Sequence, residues 1–273
     1  MRRALTQMRE GVSASASFAL SIVLSASIAS AQKPAPPTAE ELAAITERGI
    51  ALNEYDQAAW HASDAVQTAN PKTTEGQRYI AKKENGKWTV VFGKLNEDKS
   101  LFQIFYEAAQ QGKPQEFAVT AETAQRADNS FYLFAARAIN AALEDFQGEK
   151  RPYNVAVLPA PQNQLFVYVY PAQTKPRIYP LGGDVRYLFA TDGTKILEKR
   201  QMHKTILETS RMLGKKTVGG VHTHVISEVP EDTDVLHVLT QDPHQPEFVV
   251  TPHFFYKVRE DGSITIAKES KRK

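Results

Sequence analysis

The chain of 273 residues contains no cysteine. That absence excludes a disulfide framework, a thiolate metal site and a cysteine nucleophile, and it leaves nothing to carry an N-terminal lipid. No apolar run reaches the roughly 20 residues a membrane-spanning helix requires. A Gly-x-Ser-x-Gly elbow is missing, as is a phosphate-binding glycine loop; Gly182-Gly183 reads as a turn before a strand. Nor is there an internal repeat of fixed period. With no covalent staple, stability must come from buried apolar surface, and the chain is long enough to build one or two cores.

An excess of one charge is lacking too. The first residues have the layout of an export signal: Arg2, Arg3 and Arg9, then the apolar core Phe18–Leu24, then Ala29-Ser30-Ala31 as a small-x-small cleavage pattern. Cleavage between Ala31 and Gln32 removes three basic residues and one acidic residue. From 33 Lys+Arg and 31 Asp+Glu, that leaves thirty of each and a net charge of zero. A general pull toward nucleic acid or acidic lipid is thereby excluded, and the basic residues intermix with acids instead of forming a stripe. The expected location is periplasmic or secreted, by the general export route ahead of the twin-arginine route, with no transmembrane segment in the mature chain.

The pattern of elements predicts an α+β fold. Residues 1–31 are the signal, 32–37 a proline-rich spacer, 38–115 a small α+β unit, 116–268 a second α+β domain and 269–273 a basic tail. Thr38, Glu40 and Glu41 mark a helix start, and apolar residues from Leu42 to Ala59 recur at helical spacing to about Thr68, with a break at Gly49 as one option. Tyr55, Trp60 and His61 read as its packing anchors. Asn85-Gly86 predicts a hairpin between Arg78–Lys83 and Lys87–Phe92, followed by a third strand, Leu101–Ala108. Gln110–Gln115 reads as a boundary, Phe117–Thr120 as a short strand, and Ala121–Phe146 as a long helix. Strands are expected at Tyr153–Leu158 and Leu165–Tyr170, the latter apolar on both faces and so covered on both sides. Val185–Ala190 and Lys195–Arg200 flank the turn Asp192-Gly193. A short helix is expected at His203–Met212. Strands are then expected at Thr217–Val225, Val235–Leu239, Phe248–Val258 and Ser263–Ala267, the last two joined by Asp261-Gly262.

One stretch brings reactive groups together at short spacing: Thr217–Leu239, TVGGVHTHVISEVPEDTDVLHVL. On a strand, residues two apart share a face, so His222 and His224 project together. An acidic loop follows with Glu228, Glu231, Asp232 and Asp234. Two imidazoles and a carboxylate can hold Zn²⁺ with one position left for water. Equally, the two histidines can line a strand and hydrogen-bond to those acids, with Pro-Glu-Asp-Thr-Asp starting a helix. Six of the seven histidines follow residue 200: His203, His222, His224, His237, His244 and His253.

The segment Val218-Gly219-Gly220-Val221-His222-Thr223-His224, with Asp234 beyond it, resembles the JAMM/MPN metallopeptidases. That resemblance implies Zn²⁺ held by His222, His224 and Asp234, and hydrolysis of peptide or isopeptide bonds. Asp234 stands ten residues after His224, one fewer than the family's spacing; Glu231 takes the place of its serine and Val225 that of its proline. The family's general-base glutamate lies on a strand after the first helix, and the corresponding Tyr153–Leu158 carries no carboxylate. Glu198 and Glu208 are the candidate substitutes for a base that must deprotonate the attacking water. As a whole, through AAWHASDA, WTVVFGKL and GGDVRYLFATDG, the chain also resembles exported bacterial proteins of no assigned activity. Two functions are therefore expected: an exported binding protein with a protein or peptide partner, or a divergent zinc hydrolase.

Overall fold

The computed structural model describes residues 34–69, 76–210 and 219–267. The residues expected to form the export signal and the tail from residue 268 lie outside that range, as do Thr217 and Val218 of the strand expected at Thr217–Val225.

Helix α1 (Ala39–Ala69) opens on a capping box: Thr38 Oγ accepts from the Glu41 amide at 3.1 Å, and the Glu41 carboxylate accepts from the Thr38 amide at 2.8 Å. It runs unbroken through Gly49, where a Cβ would collide with Val235. The missing Cβ brings a second helix against it. Strands β1 (Arg78–Glu84), β2 (Lys87–Leu95), β3 (Phe102–Gln110) and β4 (Phe117–Asp128) form one antiparallel meander. Asn85 and Gly86 both take positive φ at the first turn, as the hairpin requires. Residues 110–115 prove to be the β3–β4 turn inside this sheet, not a boundary, and contacts from Ala35 onward cluster as one unit.

Two expectations of helix are corrected here. β4 runs to Asp128, so α2 (Phe131–Asp145) begins ten residues later than the helix expected from Ala121. Pairing with β3 along most of its length overrides the helical propensity of the alanines. The start signal is Asp128, whose carboxylate accepts from the amides of Ser130, Tyr132 and Leu133. Similarly, the helix expected at His203–Met212 is in its described part a loop and a strand.

β5 (Tyr153–Pro159), β6 (Leu165–Pro171), β8 (Val185–Phe189) and β9 (Ile196–Gln201) make a second antiparallel sheet in the order β5-β6-β8-β9. β7 (Ile178–Gly182), unforeseen, pairs with β10 (Ile206–Ser210). β6 is covered on both faces, as its sequence required. Leu165, Val167 and Val169 pack into a core with α2, while Tyr168 and Tyr170 join the core built on α1. A third sheet is ordered β11 (Gly220–Thr223), β12 (Glu247–Val250), β13 (Phe255–Val258), β14 (Ile264–Ile266), with β11 parallel to β12 and the rest antiparallel. Between β11 and β12 lies α3 (Asp232–Thr240), not the strand expected at Val235–Leu239, because a capping box nucleates a helix there. The fold is thus α+β with mostly antiparallel sheets. Tyr55 anchors α1 as expected, but Trp60 is exposed, with His61 stacked on it. No helix among the described residues is long and apolar enough to cross a membrane.

Candidate metal centre

On β11 the side chains alternate. Val221 is exposed, whereas His222 and His224, the latter just past the strand's end, are buried and lie on the same side. Asp234 is the third residue of α3, where the helix dipole favours a carboxylate. Its Oδ2 accepts from the Glu231 amide at 2.7 Å, and the Glu231 carboxylate is held in turn by Arg200 at 2.6 and 3.0 Å. The same aspartate therefore starts the helix and faces the histidines.

A fourth group completes the cluster. His203, in the β9–β10 loop, brings its Nε2 to 2.8 Å from His224 Nε2, while His222 Nε2 lies 3.0 Å from the same atom. Asp234 Oδ1 stands 3.2 Å from His203 Nε2 and 3.1 Å from His222 Nε2, and its Oδ2 is 3.3 Å from His224 Nε2. Around an ion at about 2.0–2.1 Å, tetrahedral ligands stand about 3.3 Å apart. Of the six pairs among the three Nε2 atoms and Asp234 Oδ1, four fall between 2.8 and 3.2 Å, and His224 Nε2 lies 3.3 Å from the other Asp234 oxygen.

The outward nitrogens decide the tautomers. His203 Nδ1 meets Asp184 Oδ1 at 2.8 Å, His222 Nδ1 meets Glu247 Oε1 at 2.9 Å, and His224 Nδ1 meets the Val229 carbonyl at 2.9 Å. Carboxylates and carbonyls only accept, so each Nδ1 donates and each Nε2 lone pair points inward. Three lone pairs and a carboxylate then converge. Asp234 Oδ1 is buried, and among the described residues only His203 and His222 stand within ion-pair distance of it. Such a set is at ease only around an electropositive centre, either shared protons or a metal ion. Outer acceptors on every imidazole are also the arrangement by which proteins orient metal-binding histidines.

Glycines make this outer layer possible. A Cβ at Gly220 would occupy the space of the Glu247 carboxylate, its partner across the β11–β12 ladder. At Gly182, whose φ is +90°, a Cβ would strike the Thr205 carbonyl of the loop that carries His203. Gly182-Gly183 is thus a turn, as read, and one that seats Asp184 against His203.

Without a metal the cluster holds protons. For His203, burial pulls the pKa down, but the charges of Asp184 and Asp234 outweigh it and hold it well above 6.5. For His222, burial again works downward, and bonds to Asp234 and Glu247 raise it to about 9. Asp234 is pushed upward by burial yet ends well below the usual carboxylate range, through the charge of His203 and the bonds from all three imidazoles. His203, His222, His224 and Asp234 form a group that could hold a metal ion.

The structure thus brings His222, His224 and Asp234 together and adds His203, Asp184 and Glu247. His203 was visible only as one of six late histidines. The carboxylates reaching the imidazoles are not the two named as candidate bases. Glu198 is exposed on β9 opposite Leu188, and Glu208 is exposed on β10, where it pairs with Arg151 at 3.3 Å. Comparison with protein-family models, curated proteins and solved structures finds no match for this chain.

Proposed function

We propose that this chain is an exported binding protein that carries a zinc ion as a structural element, held by His203, His222, His224 and Asp234, and that it performs no hydrolysis there. The observation behind this reading is the convergence of three inward Nε2 atoms on a buried carboxylate, each imidazole anchored from outside. Nitrogen and oxygen donors at tetrahedral spacing suit zinc; copper of the same charge prefers tetragonal sites, and calcium and magnesium prefer oxygen. Four protein ligands are one more than a catalytic zinc site uses, since catalysis keeps a position for water. His203 takes the place that water would need, and no glutamate of the cluster is free to act as base: Glu247 is spent on His222 Nδ1. Bound there, the ion would join the β9–β10 loop, β11 and α3, three segments distant in sequence, which is what a structural metal does for a chain without disulfides.

The hydrolase reading keeps the His222, His224 and Asp234 set of the JAMM/MPN resemblance, and it requires His203 to leave the ion. Elemental analysis of the purified chain tests the first reading, together with a His203→Ala variant. Stoichiometric zinc in the parent chain, with weaker retention in the variant, is expected. Full zinc retention by His203→Ala, with gain or persistence of peptidase activity, would favour the hydrolase.

A further inference from the structure

On the other side of Asp184 lies a cleft that the metal reading does not use. Its inner part, about 70 Å³, is walled by Asp56 of α1, Asn154 of β5, Tyr170 of β6, Asp184, and Thr233 and His237 of α3. It opens past Tyr179 into an outer groove of about 810 Å³ that shares Asp56, Asn154 and Tyr179, and is bordered by Asn53, Trp60 and Tyr79. That outer volume is in the range of small-molecule sites. No lysine or arginine lines either part.

Buried acceptors without partners gather along this cleft. Tyr170 donates to Asp56 Oδ1 at 2.7 Å and Asn154 donates to the same oxygen at 3.2 Å. The Tyr170 hydroxyl and one of the two Asn154 N–H groups are therefore spent. Among the described residues no hydrogen bond reaches Asp56 Oδ2, and Asp56 makes no ion pair. Asn53 Oδ1 is buried without a partner. His237 is only 3% exposed, and neither ring nitrogen completes a hydrogen bond, although the Pro180 carbonyl lies close enough to favour a proton there. Burial lowers its pKa, so the ring is neutral and keeps one lone pair. Burial also raises the Asp56 carboxyl, against the bonds from Tyr170 and Asn154. A carboxylate in that position lacks a counter-charge, and buried polar groups without partners are costly unless something satisfies them.

We propose that this cleft binds a small organic cation, a primary alkylammonium, through Asp56 with His237 and Asn53 as further acceptors and the carbon chain along Tyr79, Tyr179 and Trp60. An ammonium supplies three donors and a positive charge, which matches the unused acceptors. A polyol could donate to the same acceptors, but it brings no charge to set against Asp56. Aromatic faces beside the carboxylate add attraction for a cation. Asp184 is common to both walls and α3 carries both Asp234 and His237, whereas Asp56, Asn53, Trp60 and Tyr79 lie on α1 and β1, outside the zinc cluster.

The test titrates the mature chain at about pH 7.5, where His237 with its lowered pKa is neutral, with chelator present. Calorimetry and tryptophan fluorescence follow 1,4-diaminobutane, 1,4-butanediol and glucose. Binding of the diamine with a fluorescence change, and none for the diol or glucose, is expected. Asp56→Asn should weaken the diamine at least about tenfold, the scale of one charged hydrogen bond. Trp60→Ala, at an exposed position, should remove the fluorescence change and weaken binding; it decides the matter if Asp56→Asn fails to fold. His222→Ala should leave diamine binding intact, so failure of the zinc reading and failure of this one are separable. Diol or glucose binding as tightly as the diamine would overturn the proposal, as would no diamine binding up to about 10 mM, weaker than any affinity worth the name of a site.

Discussion

Asp232 and Asp234 are two residues apart on the same helix turn, and both side chains are fully buried. Their surroundings differ in kind. Asp232 accepts from Arg48, whose Nε reaches both oxygens at 3.0 Å and whose Nη2 reaches Oδ1 at 2.9 Å, from a second guanidinium, Arg186, at 2.7 Å and from the Tyr168 hydroxyl at 2.8 Å. Its counter-charge is permanent, because guanidinium groups do not give up their protons. Asp234 is faced by three imidazoles, whose charge is optional. One carboxylate is neutralised by the fold itself. The other is surrounded by groups that can exchange protons for a metal ion, and this contrast separates a structural ion pair from a ligand site.

The largest effect expected from this contrast is at Asp232. Asp232→Asn leaves Arg48 and Arg186 facing a neutral group, and breaking a buried pair from one side costs roughly 3–5 kcal/mol. Urea unfolding with zinc and with chelator should show the same loss in both. A loss confined to the zinc-loaded protein would mean that Asp232, too, belongs to the metal site.

Next comes the response to zinc. Free zinc at about 100 times its Kd should stabilise the parent chain by about 2.7 kcal/mol. Asp234→Asn and His222→Ala should each remove that gain, which thermal unfolding would detect; a variant that keeps it is not missing a ligand.

The pH dependence sharpens the same comparison. The His222 pKa is raised to about 9 in the metal-free fold, against about 6.5 in the unfolded chain. A raised folded pKa adds stability that is full below the unfolded value and is lost as pH rises through the folded one. The metal-free chain should therefore lose stability between about pH 6.5 and pH 9. Asp234, held low, acts oppositely: its contribution is present above about 3.9 and disappears only as pH falls further. Zinc replaces the protons, so its stabilising increment should grow across the window in which the metal-free chain weakens. Melting temperatures along a pH series, with zinc and with chelator, give both curves, and parallel curves would sink the idea that protons and metal compete.

Much of the site's inner layer was legible in sequence. Two-residue alternation on a strand put His222 and His224 on one face, and the alternative reading of Pro-Glu-Asp-Thr-Asp as a helix start, with Asp232 or Thr233 as cap, agrees with α3 except that the cap is Glu231. His203 was not legible, because its approach depends on a loop packing against Gly182, a contact across twenty-one residues that no local pattern encodes. Glu247 was hidden for a similar reason: its reach to His222 depends on strand register and on the empty space over Gly220. Where local signals competed with pairing, pairing won. The alanine-rich run after Phe117 became β4 because β3 offered a partner, and Ile206–Ser210 became a strand because β7, unforeseen, offered another.

The outer layer supplies a smaller effect. Glu247→Gln keeps the shape but removes the charge that orients His222, and changes at such outer partners cost about 10–100-fold in metal affinity. Gly220→Ala should act alike, since its new methyl group displaces the Glu247 carboxylate. Competition with a chromophoric chelator would measure both. If Gly220→Ala weakens zinc while Glu247→Gln does not, the glycine matters for the β11 backbone and not for the carboxylate.

The smallest effects are expected where sequence placed the candidate bases. Glu198 is exposed on β9, and Glu208, whose carboxylate is exposed on β10, pairs at 3.3 Å with an Arg151 that is mostly covered. Surface pairs of that kind contribute about 0–1 kcal/mol. Glu198→Gln and Glu208→Gln should therefore leave zinc affinity unchanged and stability within about 0.5 kcal/mol of the parent, as should His244→Ala in its exposed turn. The same three variants, titrated with zinc beside His203→Ala, complete the comparison: groups near the cluster in sequence but outside it in space should be silent, whereas the loop histidine that sequence passed over should not. A zinc affinity that fell with Glu198→Gln or Glu208→Gln and held with His203→Ala would reverse the assignment, restoring an open metal position with a carboxylate beside it.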